Sequence, residues 1–212
     1  MTIPDDIHYT ALSQSVLTAI DARVKHGITE NVFPAAAICV HHRGKPVLNA
    51  AWGWQGSETE IPLMVKARFD LASLTKLFTT TAFLMQVEQG RVSLDALLID
   101  ILPEFGAVNP RPIGSGQNPF TKVHLPVLPE FIGQTVDPTA VTFRHLLTHT
   151  SGLPAWRSVY ELNPVPLAPQ KSDPVPRQRR WAIALDALCN YKFVAQPGSE
   201  IRYSDVGFML LG

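Results

Sequence analysis

What this chain lacks narrows the field first. Its 18 Lys+Arg balance 18 Asp+Glu, so no net charge draws it to a phosphate backbone or an anionic lipid surface. Its two cysteines, Cys39 and Cys189, are too few and too far apart for a disulfide framework or a metal knuckle. No apolar run approaches the ~18 residues that a membrane span requires. The opening residues, MTIPDDIHYT, carry two acids and no apolar block, unlike a secretory signal. There is no Gly-rich phosphate loop, no C-x-x-C pair and no G-x-S-x-G elbow. Nucleic acid and membrane are thereby set aside as partners, and a cytoplasmic location is expected.

What is there is globular. The 212 residues are 46% hydrophobic and 17% charged, more chain than one typical domain of ~150 residues needs. Leu12, Val16, Leu17, Ile20 and Val24 repeat at a helical period, predicting a helix over 11–26 that stops at Gly27. Apolar runs at 35–40 and 46–54 flank a polar stretch and predict an antiparallel hairpin. The first run does not alternate, which predicts a strand covered on both faces. From Ser73, the residues Leu74, Leu77, Phe78, Ala82, Phe83, Leu84 and Met85 make a helix that is apolar nearly all round. Such a helix is expected to be central and buried.

Residues 92–105 read as a turn and a short helix closed by Pro103, and 106–140 as an irregular insertion rich in Pro and Gly. Thr142 caps a short helix through Leu147, and the prolines of 154–176 resist regular structure. Further helices are expected over 181–189 and 206–211. The fold class is α+β: an antiparallel sheet flanked by helices, plus a helical region. Residues 1–72 are an incomplete helix-plus-hairpin part of the sheet domain, and 73–212 are mostly helical.

The sharpest chemical signal is Ser73-Leu74-Thr75-Lys76. A serine hydroxyl is a poor nucleophile until a base takes its proton. Positions i and i+3 share a helix face with Cβ atoms about 5–6 Å apart, so Lys76 reaches Ser73. Burial lowers a lysine's pKa, and a neutral amine is a competent base. A second signal runs from Pro197 to Asp205, where Tyr203 is placed to relay a proton to a leaving group. His145 and His149 are four apart, but Leu146 stands where a zinc protease needs Glu, and no third ligand is evident. No metal and no cofactor are expected. Arg177, Arg179 and Arg180 read as a solvated basic face.

Together these segments resemble the serine beta-lactamase and penicillin-binding-protein superfamily, in the branch of class C beta-lactamases, D-alanyl-D-alanine carboxypeptidases and esterases. Four blocks carry the likeness, in the family's order. They are Phe69 to Lys76, Gly90 to Asp95 continuing through Leu102 to Phe105, Thr142 to Leu153, and Pro197 to Gly212. The resemblance implies a beta-lactamase/transpeptidase-like fold with Ser73 as nucleophile, Lys76 as its base and Tyr203 in the relay. It also implies a small-molecule ester, amide or peptide substrate. Tyr203-Ser204-Asp205 matches the family's Tyr-x-Asn with Asp205 in the Asn place, a substrate-binding position. Asn both donates and accepts whereas ionised Asp only accepts, which favours an ester-like substrate.

The family's third motif, Lys or His followed by Thr or Ser and Gly, is not found after Tyr203. The chain ends in the apolar Phe208-Met209-Leu210-Leu211-Gly212, so a longer parent, whose further strands would complete the sheet, is expected. Two alternatives stand beside an acyl-enzyme hydrolase. One is an inactive fragment, the other a binding or scaffold protein that keeps the fold without the chemistry.

Overall fold

The computed structural model describes residues 12–56, 60–118, 120–162 and 177–212. The chain divides into two compact units, Met1–Asp70 and Leu71–Gly212.

In the first unit, helix α1 (Gln14–Thr29) is capped by Ser13, whose Oγ accepts the Val16 N–H at 3.4 Å. The helix does not stop at Gly27 as expected. A Cβ at that position would lie 2.6 Å from Phe33 Cζ, so the glycine lets the Phe33 ring lie against the helix. The predicted hairpin is present as β1 (Ala35–His42) and β2 (Lys45–Gly53), antiparallel, with a register irregularity between Val40 and His41. Its two-residue turn, Arg43-Gly44, has positive φ at both positions (52° and 78°), the geometry that follows the twist of the strands.

The expectation of a doubly covered β1 is corrected. Cys39, Val40 and the residues after them are exposed, whereas β2 is buried at Val47, Leu48, Ala50, Ala51 and Trp52. Leu48, Ala50 and Trp52 pack with Val24, Ile20 and Leu17 of α1. The small alanines of β1 made it look interior, but they offer little surface to bury; Leu48 and Trp52 offer far more. The Trp52 indole N–H is satisfied by Asp21 Oδ1 at 2.8 Å, and Asp21 is paired in turn with Lys25.

The second unit is built on a core of Leu98, Phe105, Val136, Val141, Phe143, Leu146, Leu153, Leu188, Phe193 and Val206. Its helices are α2 (Thr75–Glu88), α3 (Phe143–Leu147), α4 (Arg177–Asn190) and α5 (Asp205–Met209). A two-residue pair, β3 (Arg111–Pro112) with β4 (Thr135–Val136), adds a second small antiparallel sheet. Thr142 caps α3 as expected. Its Oγ1 accepts from His145 N at 3.3 Å, and His145 Nδ1 accepts from Thr142 N at 3.2 Å.

Two expectations fail here. First, Pro103 opens a 3₁₀ turn (Pro103–Gly106) instead of closing a helix, and the preceding turn, Leu98–Asp100, is also 3₁₀. Proline lacks the N–H that the first turn leaves unpaired in any case. The described residues of 106–140 are largely irregular, as expected, and are tied into the core by Arg111, which is 1% exposed. Its guanidinium donates to the carbonyls of Cys189 (2.6 Å), Tyr191 (3.1 Å) and Phe105 (2.7 Å). It lies 4.2 and 4.8 Å from the ring centroids of Phe105 and Phe193. Burial pulls its pKa down to about 10, so it stays charged at neutral pH.

Second, α2 is not buried. Leu77, Phe78 and Met85 are exposed, at 64%, 63% and 50%. The stripe with partial cover is Lys76, Thr79, Thr80, Phe83, Gln86 and Val87, spaced at helical intervals. Phe83 packs against Phe143 with centroids 4.9 Å apart. An all-round apolar pattern says how much of a helix can be covered, not which face this unit covers. The face that the core does take carries Lys76. Residues 163–176, most of the proline-rich stretch, lie outside the described residues.

Candidate active site

Two peptide segments are threaded together to make the site. Gly152 has φ +73°, and a Cβ there would fall 2.2 Å from the Ala195 carbonyl oxygen. Only glycine tolerates both conditions. That close approach lets the Gly152 carbonyl accept from Val194 N at 2.8 Å. From there the chain zips along the 149–155 segment. Gly198 N donates to Thr150 O (2.7 Å), Arg202 N to His149 O (2.8 Å) and Asp205 N to Ala155 O (2.8 Å). Ser204 Oγ donates to Pro154 O at 2.7 Å while accepting from Gly207 N at 3.0 Å, which caps α5. His149 Nδ1 accepts from Ser204 N at 3.0 Å, and its ring lies 4.7 Å from Tyr203 and 5.0 Å from Phe208. Tyr203 is thus fixed by the backbone on both sides and by a ring beneath it.

The 149–155 segment is itself held from behind. Arg144 forks onto Asp95 with contacts of 2.6 and 2.8 Å, and Arg144 N donates to Leu94 O at 2.7 Å.

Ser73 arrives from the other direction. Ala72, just before it, is held at φ +43°, a left-handed conformation that costs an alanine roughly 1–2 kcal/mol. The chain then makes one 3₁₀ turn, with Leu74 N donating to Leu71 O at 2.9 Å, and runs into α2. Ser73 is exposed. Its Oγ meets Tyr203 Oη at 2.6 Å.

Lys76 is used differently from the expectation. Its amine donates to Asp205 Oδ1 and lies 4.6 Å from the Tyr203 ring centroid and 5.6 Å from that of Phe208. Burial pulls its pKa down, but the hydrogen bonds and charges of Asp205 and Tyr203 outweigh that, and the net direction is up from 10.5. The expected lowering by burial is therefore not the net direction here, because the Asp205 carboxylate takes the amine's hydrogen bond. The sequence reading considered burial alone and left out the carboxylate. Asp205, expected to bind substrate, still borders the cleft, yet one of its oxygens is committed to Lys76.

Ser73, Lys76 and Asp205 line a cleft of about 550 Å³ together with Thr79, Trp181 and Phe208 among others. Phe208, Trp181 and the strain at Ala72 were not read from the sequence. No local motif marks them, and only the tertiary fold brings them to Ser73. His145 and His149 are occupied as hydrogen-bond acceptors, one in a helix cap and the other under the Tyr203 segment.

An exposed serine hydrogen-bonded to a tyrosine, with a lysine–aspartate pair beside them, thus lies at the head of a helix on an α+β scaffold. Residues 20–212 match the Beta-lactamase family, and the chain belongs to it. It is similar to Protein flp of Staphylococcus aureus, 23% identical over 193 residues that make up 91% of this chain and 32% of flp. It is also similar to Esterase EstB of Burkholderia gladioli, 29% identical over 152 residues, 72% of this chain and 33% of the esterase. The chain therefore spans about a third of the length of these curated relatives. Among solved structures, a class C beta-lactamase superposes with a TM-score of 0.62 at 18% identity, covering 97% of this chain and 45% of the other. At that identity the likeness establishes a beta-lactamase/transpeptidase-like fold. Among the described residues, no helix is long and apolar enough to cross a membrane.

Proposed function

We propose that the chain supplies the acylating machinery of a serine hydrolase that cleaves a small ester or amide through an acyl-enzyme on Ser73. The observation that carries this reading is the 2.6 Å contact between Ser73 Oγ and Tyr203 Oη at the edge of an open cleft. Ser73 attacks the carbonyl carbon and its proton passes to Tyr203 Oη. Tyr203 gives its own phenolic proton to the departing oxygen or nitrogen, so the relay balances without a free base. Lys76, held by Asp205, keeps its ammonium beside the tyrosine ring, where it favours release of the phenolic proton slightly ahead of the serine proton's arrival. In the second half, water attacks the acyl-enzyme and returns a proton to Ser73 along the same path.

Esterase EstB is named for ester hydrolysis. An acceptor-only Asp205 in the Tyr-x-Asn place supports an ester over an amide substrate. The ion pair that occupies Lys76 also supports a second reading, a non-catalytic binding protein with its amine neutralised. A fluorophosphonate probe separates the two. Labelling of the chain that disappears in Ser73→Ala is the expected result for a hydrolase. An unlabelled, folded wild-type chain would leave the binding protein standing.

A further inference from the structure

Two backbone N–H groups, one on either side of Tyr203, end on a single residue. His149 O accepts from Arg202 N at 2.8 Å, and His149 Nδ1 accepts from Ser204 N at 3.0 Å. Between these two grips the imidazole lies against the phenol, with centroids 4.7 Å apart, and Phe208 stands 5.0 Å from it. Because Nδ1 faces a donor, the neutral ring carries its hydrogen on Nε2. A further proton has only Nδ1 to go to, where it would meet the Ser204 N–H donor to donor. The ring or the 203–204 peptide must then turn away, and the Tyr203 oxygen that lies 2.6 Å from Ser73 Oγ goes with it.

We propose that His149 is a proton-operated gate on the Ser73 site. Neutral, it holds the Tyr203 phenol against the serine; protonated, it lets the phenol go, and turnover stops while the fold persists. The inference rests on the reading of Ser73 as nucleophile and Tyr203 as its relay. His149 acts through Tyr203 and is therefore a positioning residue. The charges facing its ring oppose one another: the Lys76 ammonium from α2 and the Asp205 carboxylate from the start of α5. Arg202 and Glu200, next along the Tyr203 segment, are paired with each other at 2.7 Å. On α3, which packs against α5, His145 turns to the Thr142 N–H. Burial decides the balance and lowers the His149 pKa below 6.5, so the gate works on the acid side of that value.

The test follows kcat for p-nitrophenyl acetate against pH, with circular dichroism confirming the fold at each point. Wild type should show an acid limb that begins below 6.5 and steepens to about tenfold per pH unit, the slope of one proton. His149→Phe keeps a ring but no acceptor. It should lower kcat about 10²-fold above pH 6.5, with KM within about threefold. His149→Asn tolerates the left-handed backbone at this position (φ 58°) and offers Oδ1 to the Ser204 N–H without titrating. It should restore most of what the Phe variant loses and abolish the acid limb. An acid limb unchanged in His149→Asn, or a Phe variant as active as the Asn one, overturns the gate with Ser73 as nucleophile intact. If no ester is turned over in a Ser73-dependent way, the hydrolase reading falls, and NMR still decides the gate. The nuclear Overhauser contact between the Ser73 β protons and the Tyr203 ε protons should fade as the His149 imidazole titrates in the wild-type chain. A contact that persists through that titration overturns the gate.

Discussion

Ser73 and Tyr203 stand 130 positions apart in the sequence and 2.6 Å apart at their side-chain oxygens. If the phenol is the proton relay, Tyr203→Phe keeps the ring on His149 and beside the Lys76 amine but removes the oxygen. Turnover of p-nitrophenyl esters is expected to fall by roughly 10²–10⁴, with little change in melting temperature, because the tyrosine is 48% exposed. Activity within about threefold of wild type in Tyr203→Phe would reject the relay.

Lys76 and Asp205 give a second prediction. Their side chains are 17% and 30% exposed, so the pair lies between a surface contact and a buried one. Lys76→Met is expected to cost about 1–2 kcal/mol, a fall of about 2–8 °C in a chain of this size. Turnover should drop by at least about 10² with the loss of the charge beside Tyr203. Because the Lys76 pKa is raised above 10.5, the lysine's contribution is present below that pH while Asp205 stays ionised, and is lost as pH rises through the folded value. Asp205→Asn keeps an acceptor for the amine and should be milder on both counts. Faster turnover in Asp205→Asn would mean instead that the aspartate holds the lysine out of the reaction.

The sequence made some of this legible and hid the rest for physical reasons. Thr142 as a cap and the 35–54 hairpin were readable because their causes are local: a hydroxyl before a helix, and a turn between two apolar runs. The Ser73, Lys76 and Tyr203 segments were readable as blocks in a family order. The partners within that set were not. Helical spacing put Lys76 near Ser73, but which acceptor the amine takes depends on Asp205, brought in by the threading at Gly152. Burial of α2 was misjudged because periodicity ranks faces by composition, while the core took the stripe with Lys76, Thr79 and Phe83. Arg111 gave no sign in the sequence, since its partners are three carbonyls and two rings, none of them an acid.

Arg111 carries the third prediction. Arg111→Ala would leave the carbonyls of Cys189, Tyr191 and Phe105 without their donor and open a gap between Phe105 and Phe193. A loss of about 3–5 kcal/mol is expected, or about 6–20 °C in melting temperature. Arg111→Lys restores the charge, but a compact ammonium cannot donate to all three oxygens or stack flat between two rings. It should recover less than half of the loss. Calorimetry on the three chains checks this. A Lys variant as stable as wild type would show that charge alone matters at this position and the planar fork does not.

The fourth concerns acid. His149 holds the Tyr203 segment by accepting the Ser204 N–H at Nδ1, which requires a lone pair there. Burial, helped by the Lys76 ammonium and opposed by Asp205, lowers its pKa below 6.5. His145 accepts Thr142 N–H in the α3 cap, and burial lowers its pKa too, against a weaker pull from Asp95. In both cases the unfolded chain binds a proton that the folded chain refuses. The stability these histidines contribute is therefore fully present above 6.5 and is lost as pH falls from there through the folded values. Melting temperature should decline as pH falls below about 6.5, with ester turnover falling alongside it as Tyr203 loses its support. His149→Asn fits the left-handed backbone at this position, where φ is 58°. It removes one of the two titrating groups, so the slope of melting temperature against pH should become shallower by about half. An unchanged slope would place the acid sensitivity elsewhere in the chain.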